Sequence, residues 1–442
     1  MSFVGYLWAS TPGGARPTVG TVAALCGLLI LFDGYDMAMY GSVTPALLSE
    51  PGWALAPWGV GAIGSGNLVG MLVGAIVAGL AADRFGRRRV LLASVAWLSA
   101  GMLVCALSPS LGLFATARSL TGLGMGALFP LVTALVREAT TGSPSARHST
   151  VLSALSLCGV FVGGVLAGLA SLGLVGGPGG WRIMFGLGGA ALVLLPVLAR
   201  YLPESRAWLH AATPDVSPQQ AAAPEAAGRS ALSRTGIGVL FCADYRRVTV
   251  AAWALLFCSL LLNFGMLTWL PTVLIRSGLP QPFALASLAV VNLAAVIGGL
   301  AAGRTGDRYG PKTTVAGLFG LGAASLLGLG TATPDTGWTP VLVAVAGVGT
   351  LGTQLLSTIF VGALYPTRYR ARGLGWALGV GRLGGIAAPL IGGALLGSAL
   401  APQTLFVIFA GVAVLGLTAT LAVPARAVLA PAPAPDSTTA QS

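Results

Sequence analysis

An all-α membrane protein, with twelve transmembrane helices in two pseudo-symmetric six-helix halves, is the fold class this sequence predicts, on three observations. The 442 residues are 55% hydrophobic and only 8% charged, which leaves too few polar groups to coat a water-soluble globule of that size. Apolar stretches of about 20 residues recur along the whole chain, each near the roughly 30 Å that a helix needs to cross a bilayer. A ten-residue pattern from the first half also returns in the second.

In chain order the spacing predicts helices at 18–46, 57–81, 90–108, 112–137, 150–172, 182–201, 248–275, 283–303, 313–331, 339–362, 374–397 and 403–424. The first segment is long enough to span and carries polar residues of its own, so it reads as a helix and not as a cleaved leader. The 65 glycines suit close helix packing, since small residues let backbones approach where no hydrophobic force drives association. The run Gly159, Gly163, Gly164 and Gly168 is one such seam.

A net charge of +12 raises nucleic acid as a partner, and the placement of the charge decides against it. The basic residues gather in alternate short loops, 2–3, 4–5, 6–7, 8–9 and 10–11, among them Arg84, Arg87, Arg88, Arg89, Arg137, Arg147, Arg229, Arg308, Lys312, Arg370 and Arg372. Opposite loops hold almost none. By the positive-inside rule both termini and the central loop are expected in the cytoplasm, in a multi-pass protein of the cell (cytoplasmic) membrane.

Cys26, Cys105, Cys158, Cys242 and Cys258 show no metal or redox spacing, and His148 and His210 fall in loops. No metal or cofactor is expected beyond a proton as coupling ion. No nucleophile, base and oxyanion constellation points to an enzyme.

The repeat is direct: GLAADRFGRR at 79–88 returns as GRTGDRYGPK at 303–312. Gly79, Asp83, Arg84, Gly86 and Arg88 map onto Gly303, Asp307, Arg308, Gly310 and Lys312 at one constant offset, about half the chain. The division expected is an N-terminal half at 1–202, a cytoplasmic linker at 203–246 rich in Ala, Pro, Ser and Gln, a C-terminal half at 247–426 and a disordered cytoplasmic tail at 427–442. The Asp83 segment reads as a gating element, because a carboxylate in a basic cluster can bond neighbouring helix ends in one gate state and not the other. Glu138, at the cytoplasmic end of helix 4, is expected to join that ion-pair network.

Within the membrane the ionisable exceptions are Asp33, Asp36, Arg118 and Arg382. Asp33 and Asp36 are spaced i and i+3, on one helix face that must look into a cavity. Two close carboxylates in a low-dielectric site cannot both ionise cheaply, so at least one is expected to carry a proton near neutrality, the chemistry of a proton-coupled carrier. Arg118 can pair with those carboxylates or with an anionic substrate, and Arg382 can bind a substrate carboxylate or make a structural pair. Tyr35, Phe161 and Trp269 are candidate aromatic contacts for a planar substrate, with Tyr40, Phe264 and Trp376 nearby. Asn263 is the candidate polar contact from the second half.

The loop Gly-x-x-x-Asp-Arg-x-Gly-Arg-Arg between helices 2 and 3, with its echo between helices 8 and 9, resembles the signature of the major facilitator superfamily. Arg118, Gly122, Gly124 and Gly126 on helix 4, LPESRAW at 202–208 and YPTRYRARGLGWALGVGRLGG at 365–385 resemble further motifs of that superfamily, in its order. Phe32-Asp33-Gly34-Tyr35-Asp36, followed by Tyr40-Gly41 and Pro45, resembles the aromatic acid:proton symporter branch, as do the stretches at 240–257 and 263–274 and Gly381-Arg382. The resemblance implies uptake of a small aromatic or related carboxylate with a proton, Asp33 and Asp36 serving coupling and Arg118 and Arg382 serving as carboxylate partners. A monomer is expected, with a cavity lined by helices 1, 4, 7 and 11 that is exposed alternately to each side, as in such carriers. A drug/proton antiporter is the alternative, weakened because 159–170 reads GVFVGGVLAGLA without the Gly-Pro that closes helix 5 in that class. A membrane sensor that no longer transports is the alternative from a different class.

Overall fold

The computed structural model describes residues 18–140, 156, 158–177, 179–205, 208, 240–242, 245–332 and 337–424. Among these the chain folds into α1 (Val19–Leu48), α2 (Pro57–Phe85), α3 (Arg87–Leu107), α4 (Leu111–Thr140), α5 (Gly159–Leu174) and α6 (Gly180–Tyr201). There follow α7 (Arg246–Arg276), α8 (Gln281–Tyr309), α9 (Pro311–Thr331), α10 (Thr339–Ala363), α11 (Thr367–Leu396) and α12 (Thr404–Ala422). All except α5 are described at a length and hydropathy sufficient to cross a bilayer, and α5 is described over 16 apolar residues. Residues 209–239 of the expected linker, the whole tail at 427–442, His148 and His210 lie outside the described residues.

Local sequence explains the helix ends. Thr18 caps α1 by accepting from the Thr21 amide at 3.2 Å, and Pro57 and Pro311 start α2 and α9 where a missing N–H costs nothing. The repeat region departs from expectation. Asp83 and Arg84 were expected in a loop, as were Asp307 and Arg308, but each pair occupies the last turn of a helix. The link from α2 to α3 is Gly86 alone, at φ 92°, and that from α8 to α9 is Gly310 alone, at φ 87°. Only glycine enters that region cheaply, so one residue reverses the chain. Arg370 and Arg372 are likewise helical, because α11 begins at Thr367, seven residues before its expected start.

The repeat is symmetric in its bonding as well. Arg88 donates to the carbonyl of Ala199 near the end of α6, and Lys312 donates to the carbonyls of Leu421 (2.9 Å) and Val423 (2.6 Å) at the end of α12. Each basic residue satisfies orphan carbonyls at the C-terminus of the last helix of its own half.

Glycine decides how the halves meet. On α5, a Cβ at Gly163 would strike the Leu31 carbonyl of α1, whereas one at Gly164 or Gly168 would strike Asn292 or Ala289 of α8. The same stripe therefore welds α5 to α1 on one side and seats it against the second half on the other. Further approaches between halves put Gly41 on Leu267, Gly61 on Pro389 and Gly393 on Pro57, and Ser65 donates to the Ile386 carbonyl at 2.6 Å. The contacts of α2 with α11 lie toward the ends of those helices remote from the Gly86 turn.

Candidate functional site: a divided set of charges between the halves

Asp33 and Asp36 stand about midway along α1 and both are fully buried, yet their surroundings differ. Asp36 accepts a hydrogen bond from an Arg118 guanidinium nitrogen at 2.5 Å, and a second nitrogen of that group lies 3.5 Å from the Asp36 carbonyl. Arg118 is 1% exposed and sits over the Tyr40 and Phe185 rings, 5.0 and 5.6 Å from their centroids. This pair closes within the N-terminal half, between α1, α4 and α6, with both charges desolvated.

Asp33 has no such partner: neither carboxylate oxygen has a hydrogen-bond partner among the described residues. The cation within electrostatic reach of it is Arg382, half-buried on α11 in the other half. Gly381, Gly384 and Gly385 beside Arg382 press against Leu256, Phe257, Leu260 and Phe264, so this stretch of α11 is fixed on α7. Asn263 occupies the same stretch of α7, one turn before Leu267 meets Gly41 of α1, and is 7% exposed. Arg382 of α11 thus bears electrostatically on Asp33 of α1, while Asn263 lies on the stretch of α7 that packs against both helices.

The aromatic candidates separate by their bonds. Tyr35 donates its hydroxyl to the Met184 carbonyl at 3.0 Å, which turns it toward α6 inside its own half. Trp269 is 1% exposed and donates to the Pro389 carbonyl at 3.1 Å, with its indole where a Cβ at Gly392 would lie, so it ties α7 to α11. Tyr40 donates to the Val60 carbonyl at 2.7 Å, and Trp376, expected near the charges, instead packs on Trp253 at 6.3 Å and is half exposed. Phe161 is buried on α5.

The Gly86 turn carries the expected cluster, with Glu138 in it as expected and Glu204, not Asp83, as the second acid. Glu138 pairs with Arg87, while Glu204 accepts the Arg88 amide at 2.9 Å and lies where a Cβ at Gly86 would fall. The Asp83 carboxylate makes no ion pair among the described residues; its backbone carbonyl accepts from the Trp208 indole at 3.1 Å. Arg84 lies over Phe85 at 5.3 Å, Arg308 lies over Tyr309 at 5.2 Å, and Gly79 and Asp307 are exposed. Glu204 and Trp208 were legible only as letters of LPESRAW, since no periodicity marks them as contacts of a turn more than a hundred residues earlier. At the opposite end Glu50 bonds Trp181 at 2.8 Å and Arg182 at 3.4 Å, a contact that sequence reasoning missed.

A bundle of apolar membrane-length helices, repeated in two halves and carrying buried charges, defines a multi-pass membrane transporter. The Major Facilitator Superfamily profile matches residues 26–362 and 287–441, and the chain belongs to that family. It is 33% identical to a gallate transporter of Pseudomonas putida, with 87% of each chain covered, and 34% identical to a gentisate transporter of Corynebacterium glutamicum, covering 90% of this chain and 86% of that one. To a benzoate transport protein of Acinetobacter baylyi it is 31% identical over 93% of this chain and 91% of that one. A solved D-xylose-proton symporter superposes with a TM-score of 0.73 at 19% identity, covering 90% and 96% of the two chains, and shares the fold.

Proposed function

We propose that the protein is a proton-coupled symporter that imports a small aromatic carboxylate across the cytoplasmic membrane by alternating access, acting as a monomer with both termini in the cytoplasm. The observation that carries the reading is the division of the two aspartates: Asp36 is closed on Arg118, whereas Asp33 is buried without a hydrogen-bond partner among the described residues, within electrostatic reach of Arg382 of the other half. An isolated buried carboxylate is costly as an anion, so binding a proton is the natural way to neutralise it when Arg382 is drawn elsewhere. Arg382 is the carboxylate partner, since its fork suits bidentate recognition. Substrate and Asp33 share that cation, which links protonation to substrate binding, and Arg118 serves as the fixed counter-charge of Asp36.

The names of the gallate, gentisate and benzoate relatives support an aromatic carboxylate as cargo. The exposed arginines at the Gly86 end support a cytoplasmic position for that end. Gating is assigned to the Gly86 turn, where Arg87, Arg88, Glu138 and Glu204 hold α3, α4 and the end of α6 together so that they move as one body.

The test is uptake into proteoliposomes of a panel of labelled aromatic and aliphatic carboxylates, with and without an imposed pH gradient. Accumulation of an aromatic member driven by an inward proton gradient is expected. Equal accumulation in both conditions removes the coupling, and uptake of aliphatic members alone removes the substrate class.

A further inference from the structure

The basic residues that open α7 and α11 have no role in the fold or in the charge pairs described above. Arg246 and Arg247 begin α7 and Arg370 lies in the first turn of α11; all three are exposed, and their guanidinium groups make no ion pair among the described residues. In sequence, residues 240–253 and 365–376 hold Arg246, Arg247, Arg368, Arg370 and Arg372, with Asp244 the sole acid in either stretch. Two helix N-termini at the same end add partial positive charge, and neither helix has an acid in its first turn.

Beside these arginines, aromatic rings join the two helices in rungs. Tyr245 meets Tyr369 with 6.0 Å between ring centroids, and two turns deeper Trp253 lies along Trp376 at 6.3 Å and 27°. Phe241 closes edge-on over Trp253 at 5.5 Å. It is held there because Leu240 is buried and its carbonyl accepts from the Thr249 hydroxyl at 2.9 Å, which the Tyr365 hydroxyl in turn meets at 3.3 Å. Trp376 heads an exposed stripe of α11 with Leu383 and Leu390 at i+7 and i+14, and Val250 is exposed on α7. Charge, rings and aliphatic side chains thus succeed one another along the seam. Arg246 to Trp253, and Arg370 to Trp376, each span roughly 10 Å of helix, comparable with the polar layer of one leaflet.

One donor in this stack is unspent. The indoles of Trp97, Trp181, Trp208 and Trp269 donate to Leu120, Glu50, Asp83 and Pro389, whereas the Trp253 N–H is buried with no partner among the described residues. A general bias of basic residues toward one membrane face does not account for the arrangement. The first helix of the other half, α1, opens at the same end with VGTVAAL, which has neither a basic nor an aromatic residue.

We propose that the seam between α7 and α11 binds one anionic phospholipid of the leaflet at that end, with its phosphate on Arg246, Arg247 and Arg370, its ester groups at the Trp253–Trp376 rung and an acyl chain along the Trp376–Leu383 stripe. Arginine forks match phosphate oxygens, and the two helix ends reinforce them. An ester oxygen gives the Trp253 N–H the acceptor that the protein does not supply, once the Phe241 ring swings aside. The lipid bridges the starts of two helices, one of which carries Arg382, and the inference is independent of the cargo.

The test is thermal unfolding of the full chain in a neutral detergent titrated with phosphatidylglycerol, phosphatidylcholine or inorganic phosphate. Phosphatidylglycerol is expected to raise Tm saturably at concentrations where the other two do not. Replacing all three arginines, as Arg246→Gln, Arg247→Gln and Arg370→Gln, should weaken its apparent affinity by more than about tenfold, since each arginine at an anionic lipid surface contributes about fivefold. Removing equal charge at the same end, as Arg84→Gln, Arg304→Gln and Arg308→Gln, all exposed, should leave the affinity near that of the native chain. Equal stabilisation by the two lipids overturns the proposal, and so does an equal loss in both triple variants, which is the mark of diffuse attraction. Stabilisation by inorganic phosphate alone makes the site one for a free anion and overturns the lipid. Should the first triple variant fail to fold, Trp253→Phe and Trp376→Leu, which keep every charge, are expected to weaken phosphatidylglycerol binding; an affinity unchanged in both overturns the proposal.

Discussion

Removing the Arg118 guanidinium, as Arg118→Ala, leaves Asp36 as a fully buried carboxylate whose ion-pair partner is gone. Breaking a buried pair from one side costs about 3–5 kcal/mol, because the remaining charge is stranded, and loss of the contacts over Tyr40 and Phe185 adds to it. For a cooperative unit the size of one half, each kcal/mol lowers Tm by about 2–4 °C, so the expected fall is roughly 6–20 °C. Thermal unfolding of the detergent-solubilised protein measures it. Removing both charges together, as Asp36→Leu with Arg118→Met, is expected to recover most of the loss, since a buried pair and a well-packed apolar replacement are close in free energy. Arg118→Ala with an unchanged Tm and selective loss of substrate affinity would refute the reasoning and return Arg118 to the substrate.

Asp33→Asn is expected to abolish accumulation driven by a pH gradient while substrate exchange persists, because exchange need not release the proton; full accumulation in this variant moves the coupling site off α1. Arg382→Lys keeps the charge and loses the fork, so substrate affinity, read by binding competition, should fall by more than the roughly 1 kcal/mol typical of an exposed pair. An unaltered affinity would make Arg382 a structural residue. Cys242 is exposed just before α7. In a chain whose other cysteines are replaced, it should react with an impermeant maleimide in inside-out vesicles and not in intact cells, and the opposite pattern inverts the topology. Gly61→Leu places a side chain against the Pro389 carbonyl and should hold that end of the halves apart, raising external labelling of a cysteine placed at Ser65. Labelling no greater than with Gly61 present means the contact does not gate.

The helices, their number and their two-fold repetition were legible in the sequence because a bilayer leaves few alternatives: backbone polar groups must be satisfied within each segment, so hydropathy alone marks the spans. The four intramembrane charges were legible for the same reason, since each is too costly to occur by chance. Pairing was not legible. Spacing placed Asp33 and Asp36 on one face as equals, and packing from α4 and α6 closed Asp36 on Arg118 and left Asp33 without a hydrogen-bond partner among the described residues. Tyr35 and Trp269 were candidates by proximity, and their hydrogen bonds to Met184 and Pro389 spent them on packing. At the Gly86 turn the repeat singled out Asp83; Glu138 joins the cluster as its position suggested, but Glu204, brought in from beyond the end of α6, stands in the place expected of Asp83. A sequence lists which groups must be satisfied, because desolvation is a property of residue type and depth. Which group satisfies which depends on side chains meeting across helices far apart in the chain, and only the tertiary structure decides that.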